Sequence, residues 1–346
     1  MKKIFVGIFV AVVSTFVACD DDLKYDMDTV YDYESNFEFL WKEFDQKYSF
    51  FDYKKDSIKD WNAVHDEYLT YVRNCKNEVE FFDVLAAMLN ELKDGHVNLL
   101  SSFDISSYDF EDNYPSDVDG GVLSNDRYLG KNCRRSGGLK YKTLRDGKVG
   151  YIRYADFTVD FSNSQLDFIL NSFENTDGLI IDVRSNYGGM VDYVYNIISH
   201  FVDESYTAYY TVYKNGVGHS DFSSPLSHEI SPVDNGVVYR KPVYVLVDRG
   251  CYSATNCFAF SIKGLPRVTL LGGKTGGGAG APMVTELPNG WTARFSGTIL
   301  LDKNKQITEF GVDPDIELHL DKELAYTQGL DNIIETACDY IEGVVK

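Results

Sequence analysis

From Leu139 to the end of the chain, short apolar runs alternate with stretches of helical periodicity, and this alternation restricts the fold more than any other feature. KVGYIRYADF, GLIIDV (Gly178 to Val183), Tyr206 to Tyr213 and VYVLV (Val243 to Val247) read as strands. Helices are expected over 164–173 and 190–202, and another behind Ser253 with Cys257, Phe258, Phe260 and Ile262 in its apolar run. Strands and helices that alternate in this way make an α/β core. Leu330, Ile333, Ile334, Ala337 and Ile341 have the spacing of an amphipathic helix docked on that core.

The region before it is different. Phe37, Leu40, Trp41, Phe44 and Tyr48 recur at helical spacing behind a Ser35/Glu38 capping pair. A second helix carries Ile58, Trp61, Val64, Tyr68 and Tyr71. A third opens at Asn77, with Glu80 three residues on, and carries Phe81, Leu85, Met88, Leu89 and Leu92. These stripes are core positions. Asp94-Gly95 closes the third helix, so His96 stands at the seam between a helical region and the remainder of the chain, a usual place for a cleft.

Residues 1–19, MKKIFVGIFVAVVSTFVAC, read as a signal peptide: two lysines, then an apolar stretch too short to span a membrane comfortably. Phe16-Val17-Ala18-Cys19 resembles a bacterial lipobox, with Phe16 where leucine is usual. Lipidation of Cys19 is the expectation, and ordinary cleavage the alternative. The Asp20-Asp21-Asp22 run resembles the surface-export signal of Bacteroides-like lipoproteins. The expected location is therefore the cell envelope, as an outer-membrane lipoprotein, periplasmic or surface-exposed. Without Cys19, five cysteines remain, with no CxxC spacing, and so neither a zinc pattern nor a disulfide framework. The formal net charge of −20 argues against nucleic acid as a partner.

Four segments carry chemistry. In KPVYVLVDRGCYSATNCF, Ser253 lies between a strand end and a helix start. The first free N–H groups of a helix and its dipole favour negative charge developing there. The same position suits a plain N-cap serine, so the residues alone leave both roles open. Cys251, two residues earlier, could be a thiol nucleophile but fits better as a small buried hydrophobe. In GLIIDVRSNYGGM, Gly188 and Gly189 leave backbone N–H groups free to face a ligand. LKDGHVNLL carries His96, and TEFGVDPDIEL carries Glu309.

DVRSNYGG, YSATN and GVDPDI, in this order and with the DGH segment upstream, resemble the C-terminal processing (tail-specific) serine peptidase family and its tricorn-core relatives. The resemblance covers roughly residues 36–341. It implies a crotonase-like core of repeated strand-strand-helix units over 139–346, behind a tether (20–34), a helical cap (35–100) and an irregular connecting segment (101–138). Family members often carry a PDZ domain between cap and core. The roughly 45 residues available are about half of what such a domain needs, so it is expected to be missing or reduced. The implied nucleophile is Ser253, with the N–H of Ala254 and one from Gly188-Gly189 as the oxyanion hole. In the Ser-Lys branch, lysine follows the serine by 25 residues. Gly278 stands there, and Lys274 matches another position. The tricorn-like branch uses histidine, which makes His96 the implied base and Glu309 its implied orienting carboxylate, although Gly95 replaces that branch's serine and Glu309 is displaced by one residue. Asp182 and Arg184 are expected to brace the turn as a buried pair.

The implied activity is peptide-bond hydrolysis through an acyl-enzyme, without metal or cofactor, on a peptide or protein substrate, with the membrane reached through a lipid anchor. The alternative is a non-catalytic binding lipoprotein on the same fold. GGKTGGG is not a nucleotide-binding loop. That pattern needs glycine where Val268 stands, and MVTELPNGWTARF behind it reads as a hairpin rather than a helix. SDVDGG (116–121) lacks the ligand spacing of a calcium loop and reads as a turn.

Overall fold

The structure is a computed structural model and describes residues 32–108 and 116–345. The leader, Cys19 and the tether through residue 31 lie outside the described residues, whereas residues 32–34, expected to belong to the tether, form the cap and first turn of the opening helix. Helices α1 (Tyr33–Lys47), α2 (Phe51–Lys54), α3 (Trp61–Val72) and α4 (Glu78–Asn90) open the chain, followed by strand β1 (Asn98–Leu100). Asn77 caps α4 as its sequence suggests, accepting from the Glu80 N–H at 3.0 Å. The cap of α1 lies one turn earlier than the Ser35/Glu38 pair: Asp32 accepts from both the N–H and the hydroxyl of Ser35.

The segment expected to be irregular holds a single-turn helix α5 (Gly120–Leu123), capped by Asp119, and strand β2 (Arg134–Ser136). Then come β3 (Leu139–Leu144), β4 (Val149–Tyr154), α6 (Asn163–Ser172), β5 (Gly178–Asp182), α7 (Val191–Ile198), β6 (Tyr206–Tyr213) and β7 (Leu226–Ile230). The chain continues through β8 (Val243–Val247), α8 (Ala254–Ile262), β9 (Val268–Gly272), β10 (Pro282–Glu286), β11 (Thr292–Ser296), β12 (Thr298–Asp302), β13 (Ile316–Glu317), α9 (Lys322–Gln328) and α10 (Asn332–Ile341).

The molecule is α/β with a mixed seven-stranded sheet, ordered β13-β9-β8-β5-β4-β3-β2. From β13 to β4 the neighbours run parallel, while β4-β3-β2 are antiparallel. Side chains alternate across it. Leu179, Ile181, Val243, Val245 and Val247 join the core shared with α6, α7 and α8. Ile180 and Leu246 join the core shared with Ile333, Ile334 and Ala337 of α10, as the amphipathic spacing at the C-terminus predicts. Burial on both faces is why these strands read as continuous apolar runs.

The hairpin read around Pro288-Asn289-Gly290 forms as β10 and β11. Sequence did not show its partner. β11 pairs with β1, and Trp291, Ala293 and Phe295 pack among Phe37, Phe44, Phe81 and Leu85. The hairpin therefore belongs to the same core as the N-terminal helices. It holds their last segment, with His96, against the sheet that carries Ser253.

Candidate active site

β5 and β8 are adjacent and parallel, in register Asp182 to Leu246, so both strands release their turns on the same edge. Ligand sites of open α/β sheets lie at such carboxyl ends. The two turns are tied by side chains. Asp248 accepts the Ser185 N–H at 2.7 Å, and the Tyr252 N–H donates to the Asn186 carbonyl at 3.2 Å. The Thr255 hydroxyl donates to Asn186 Oδ1 at 2.8 Å. Asp182 and Arg184 brace the base as expected: Arg184 is fully buried, 2.7 Å from Asp182 and 3.0 Å from Asp331 at the start of α10.

Ser253 occupies the N-cap position of α8 but its side chain caps nothing. Its φ of +55° with ψ of −120° is a conformation that L-residues rarely adopt. The turn throws the hydroxyl toward the helical region, where it meets His96 Nε2 at 3.0 Å, across 157 residues of sequence. His96 is buried, and its pKa is lowered to about 4. Burial is the main cause; the Asp94 carboxylate opposes the shift, and the Arg294 and Lys54 charges reinforce it. The imidazole is therefore neutral at pH 7, and its Nε2 shares a hydrogen bond with the Ser253 hydroxyl. Nδ1 is buried and has no hydrogen-bond partner among the described residues. Cys251 is buried with its thiol on the Val183 carbonyl, and burial pushes its pKa well up, which fits the packing role.

The two candidate oxyanion elements differ. Gly188, at φ +102°, lies so close that a Cβ there would come within 2.9 Å of the Ala254 nitrogen. Its own N–H, however, is taken by Asn186 Oδ1 at 3.0 Å, which removes it as a donor. The N–H groups of Gly189 and Ala254 have no acceptor among the described residues.

Glu309 departs from its expected place. It makes no hydrogen bond to His96. One oxygen pairs with Lys54 Nζ at 2.8 Å and the other accepts the Ala279 N–H at 2.8 Å. Lys54 is buried and also lies 3.6 Å from Asp94, whose carboxylate accepts from the His96 backbone N–H at 2.8 Å and the Tyr48 hydroxyl at 2.8 Å. Two buried carboxylates thus share one lysine. Despite burial, Lys54 stays above its usual pKa because Asp94 and Glu309 surround it. Burial raises Glu309 to about 7, with Lys54 opposing. Asp94 is held below its usual value: burial works against this, and the Lys54 and His96 charges with the hydrogen bonds outweigh it.

Lys54, Tyr48 and Tyr252 carry no signal of a site role in the sequence, and Asp94 reads there only as part of a turn. FDYKKDS around Lys54 has no pattern to mark it, whereas an Asp two residues before the candidate histidine was a usable signal. Lys274 pairs with Asp313 at 3.2 Å, half-exposed, and makes no hydrogen bond to Ser253. It lines a cavity of about 660 Å³ that reaches Lys54, Gly95, Tyr252 and Glu309 behind the dyad.

A strained serine at a helix start, bonded to a buried neutral histidine on an α/β sheet, is the arrangement of a serine hydrolase. The chain belongs to peptidase family S41, a family of hydrolases: residues 148–318 match that family and residues 29–90 match the tricorn protease C1 domain. A crystal structure of a candidate peptidase from Parabacteroides merdae is 42% identical over 90% of this chain and 96% of its own, with a TM-score of 0.84. The chloroplastic carboxyl-terminal-processing peptidase 3 of Arabidopsis thaliana is 28% identical over 51% of this chain. That match spans 33% of the plant protein's length. Mature CPAF shares the fold at a TM-score of 0.67 and 15% identity, over 91% of this chain and 98% of its own.

Proposed function

We propose that the chain is an extracytoplasmic serine endopeptidase that cleaves peptide or protein substrates through an acyl-enzyme. The observation that carries this is the Ser253 hydroxyl on His96 Nε2 at 3.0 Å. His96 takes the serine proton as Oγ attacks the scissile carbonyl, and gives it to the departing amine. Water then enters and gives its proton to His96 as it attacks the acyl carbonyl; the bond to Oγ breaks, His96 returns the proton to Ser253, and the acyl group leaves as a carboxylic acid. The N–H groups of Ala254 and Gly189 are the oxyanion donors in this reading, favoured by the start of α8. Glu309 acts on His96 through Lys54 and Asp94 rather than by contact. The core is read as crotonase-like, supported by the parallel succession β4, β5, β8, β9, and the PDZ domain as missing or reduced, supported by the short 101–138 segment.

The test is cleavage of a diverse peptide pool, read by mass spectrometry. Ser253→Ala and His96→Ala are expected to lose several orders of magnitude in turnover while folded. Lys274→Ala should keep at least about a tenth. An essential Lys274 with a dispensable His96 would refute the mechanism, and an inactive wild type would favour a binding protein on the same fold.

The cell-envelope location and lipid anchor rest on the leader and on Cys19 before the acidic run. Cys19→Ser should move the protein from the membrane fraction to the soluble one. Wild-type protein found soluble and unlipidated would reject the anchor.

A further inference from the structure

Arg294 sits in the middle of β11, paired with Asn98 of β1 on one side and Val284 of β10 on the other. Its neighbours Ala293 and Phe295 are buried among the N-terminal helices, so Arg294 points to the opposite face of the hairpin. Its pairing partner Asn98 lies two residues beyond His96, the Arg294 charge is among the causes that lower the His96 pKa, and Val284 beside it is exposed. Arg294 donates to Asn98 Oδ1 at 3.4 Å and has no carboxylate partner among the described residues. This is notable in a chain with 53 Asp and Glu. Arg73, Arg127, Arg145, Arg153, Arg184, Arg240 and Arg267 each hold one. Arg134 and Arg135 share the lack of one among the described residues, but they stand on the edge strand β2, separated from β8 and its Ser253 turn by β5, β4 and β3.

An uncompensated guanidinium near His96 opposes the imidazolium that proton transfer from Ser253 creates. A ligand carboxylate on Arg294 would remove that opposition, and the guanidinium fork suits a carboxylate. We propose that Arg294 is the substrate anchor of this site and receives a carboxylate of the bound peptide. That carboxylate is either the free C-terminus or an acidic side chain near the scissile bond. Neutralising Arg294 then couples correct substrate binding to the basicity His96 needs. The inference rests on the Ser253–His96 reading for its kinetic consequence, but not for the binding itself.

The probes are two decapeptide libraries of identical composition, one with free C-terminal acids and one amidated, given to wild type, Arg294→Gln and Arg294→Lys. If the C-terminus is the ligand, wild type should cleave the acid library at least about tenfold faster than the amide. If a side chain is, the libraries should be cut equally and Asp or Glu should be enriched several-fold at one position near the cut. Either preference should vanish in Arg294→Gln and partly return in Arg294→Lys. The same libraries are also bound to the Ser253→Ala protein, with and without Arg294→Gln. Carboxylate-dependent binding without wild-type cleavage would keep the anchor and discard the peptidase reading. A preference unchanged by Arg294→Gln, or no preference in cleavage or binding, overturns the proposal.

Discussion

The two halves of the site are built by different physics. The nucleophile half joins the ends of two adjacent parallel strands. It is held by neutral hydrogen bonds around Asn186, by Asp248 on its neighbours' backbone, and by close packing at Gly188. The base half joins three segments far apart in sequence, around Lys54, Asp94 and Glu309, and is held by buried charge. Neutral backbone geometry is set locally and tolerates isolation. A buried charge cluster is stable only when complete. Substitutions should therefore cost stability in the base half and, outside the buried Asp182–Arg184–Asp331 brace beneath its turn, little in the nucleophile half.

The largest expected effect tests that contrast directly. Lys54→Met would leave Asp94 and Glu309 facing each other without a cation, in surroundings where all three side chains are at most 5% exposed. Breaking a buried ion pair from one side typically costs about 3–5 kcal/mol. Urea unfolding at pH 7 should show that loss for Lys54→Met and under about 1 kcal/mol for Ser253→Ala. Equal losses would mean that the base half does not depend on its charges.

The same contrast explains what could be read from sequence. The nucleophile half was legible because strand, turn and helix follow one another in the chain. VYVLV and Tyr206–Tyr213 form strands at the expected residues, and the glycine turn stands where the sequence places it. Lys54 was invisible because its role depends on α2 meeting the 309 turn across 255 residues (309 − 54), and no local pattern encodes that meeting. Glu309 stands out in the sequence, but its partner does not. With Gly95 before the histidine there is no neighbouring hydroxyl, and the buried lysine holds the carboxylate instead. The hairpin at β10 and β11 is recognisable as a hairpin, yet its apolar face does not say which core it joins.

The intermediate effect concerns His96 and acid. Its folded pKa of about 4 lies below an unfolded value of about 6.5. As pH falls, the unfolded chain takes up this proton first, so the histidine's contribution is full above about 6.5 and is lost on the way to 4. Glu309 has the opposite sign: its folded value of about 7 exceeds the unfolded carboxylate value, so its contribution grows as pH falls. The two compete in the wild type and separate in His96→Gln. The stability difference between wild type and His96→Gln should fall by about 3 kcal/mol from pH 7 to pH 4. A difference independent of pH would show that His96 titrates as an ordinary exposed imidazole.

The smallest expected effect belongs to the nucleophile half and runs the other way. Ser253 holds φ +55° and ψ −120°, a conformation that costs a residue with a Cβ about 1–3 kcal/mol. Glycine escapes that cost but loses about 0.5–1 kcal/mol more to unfolded-chain entropy. Both Ser253→Ala and Ser253→Gly remove the bond to His96, so comparing the two isolates the backbone. Ser253→Gly should be the more stable by about 1 kcal/mol, and both should be inactive. If the alanine variant is the more stable, the turn is unstrained, and the nucleophile is positioned by its contacts rather than by stored backbone energy. With strain present, local geometry alone would present the hydroxyl to His96, which is the sense in which this half of the site is self-contained and the charged half is not.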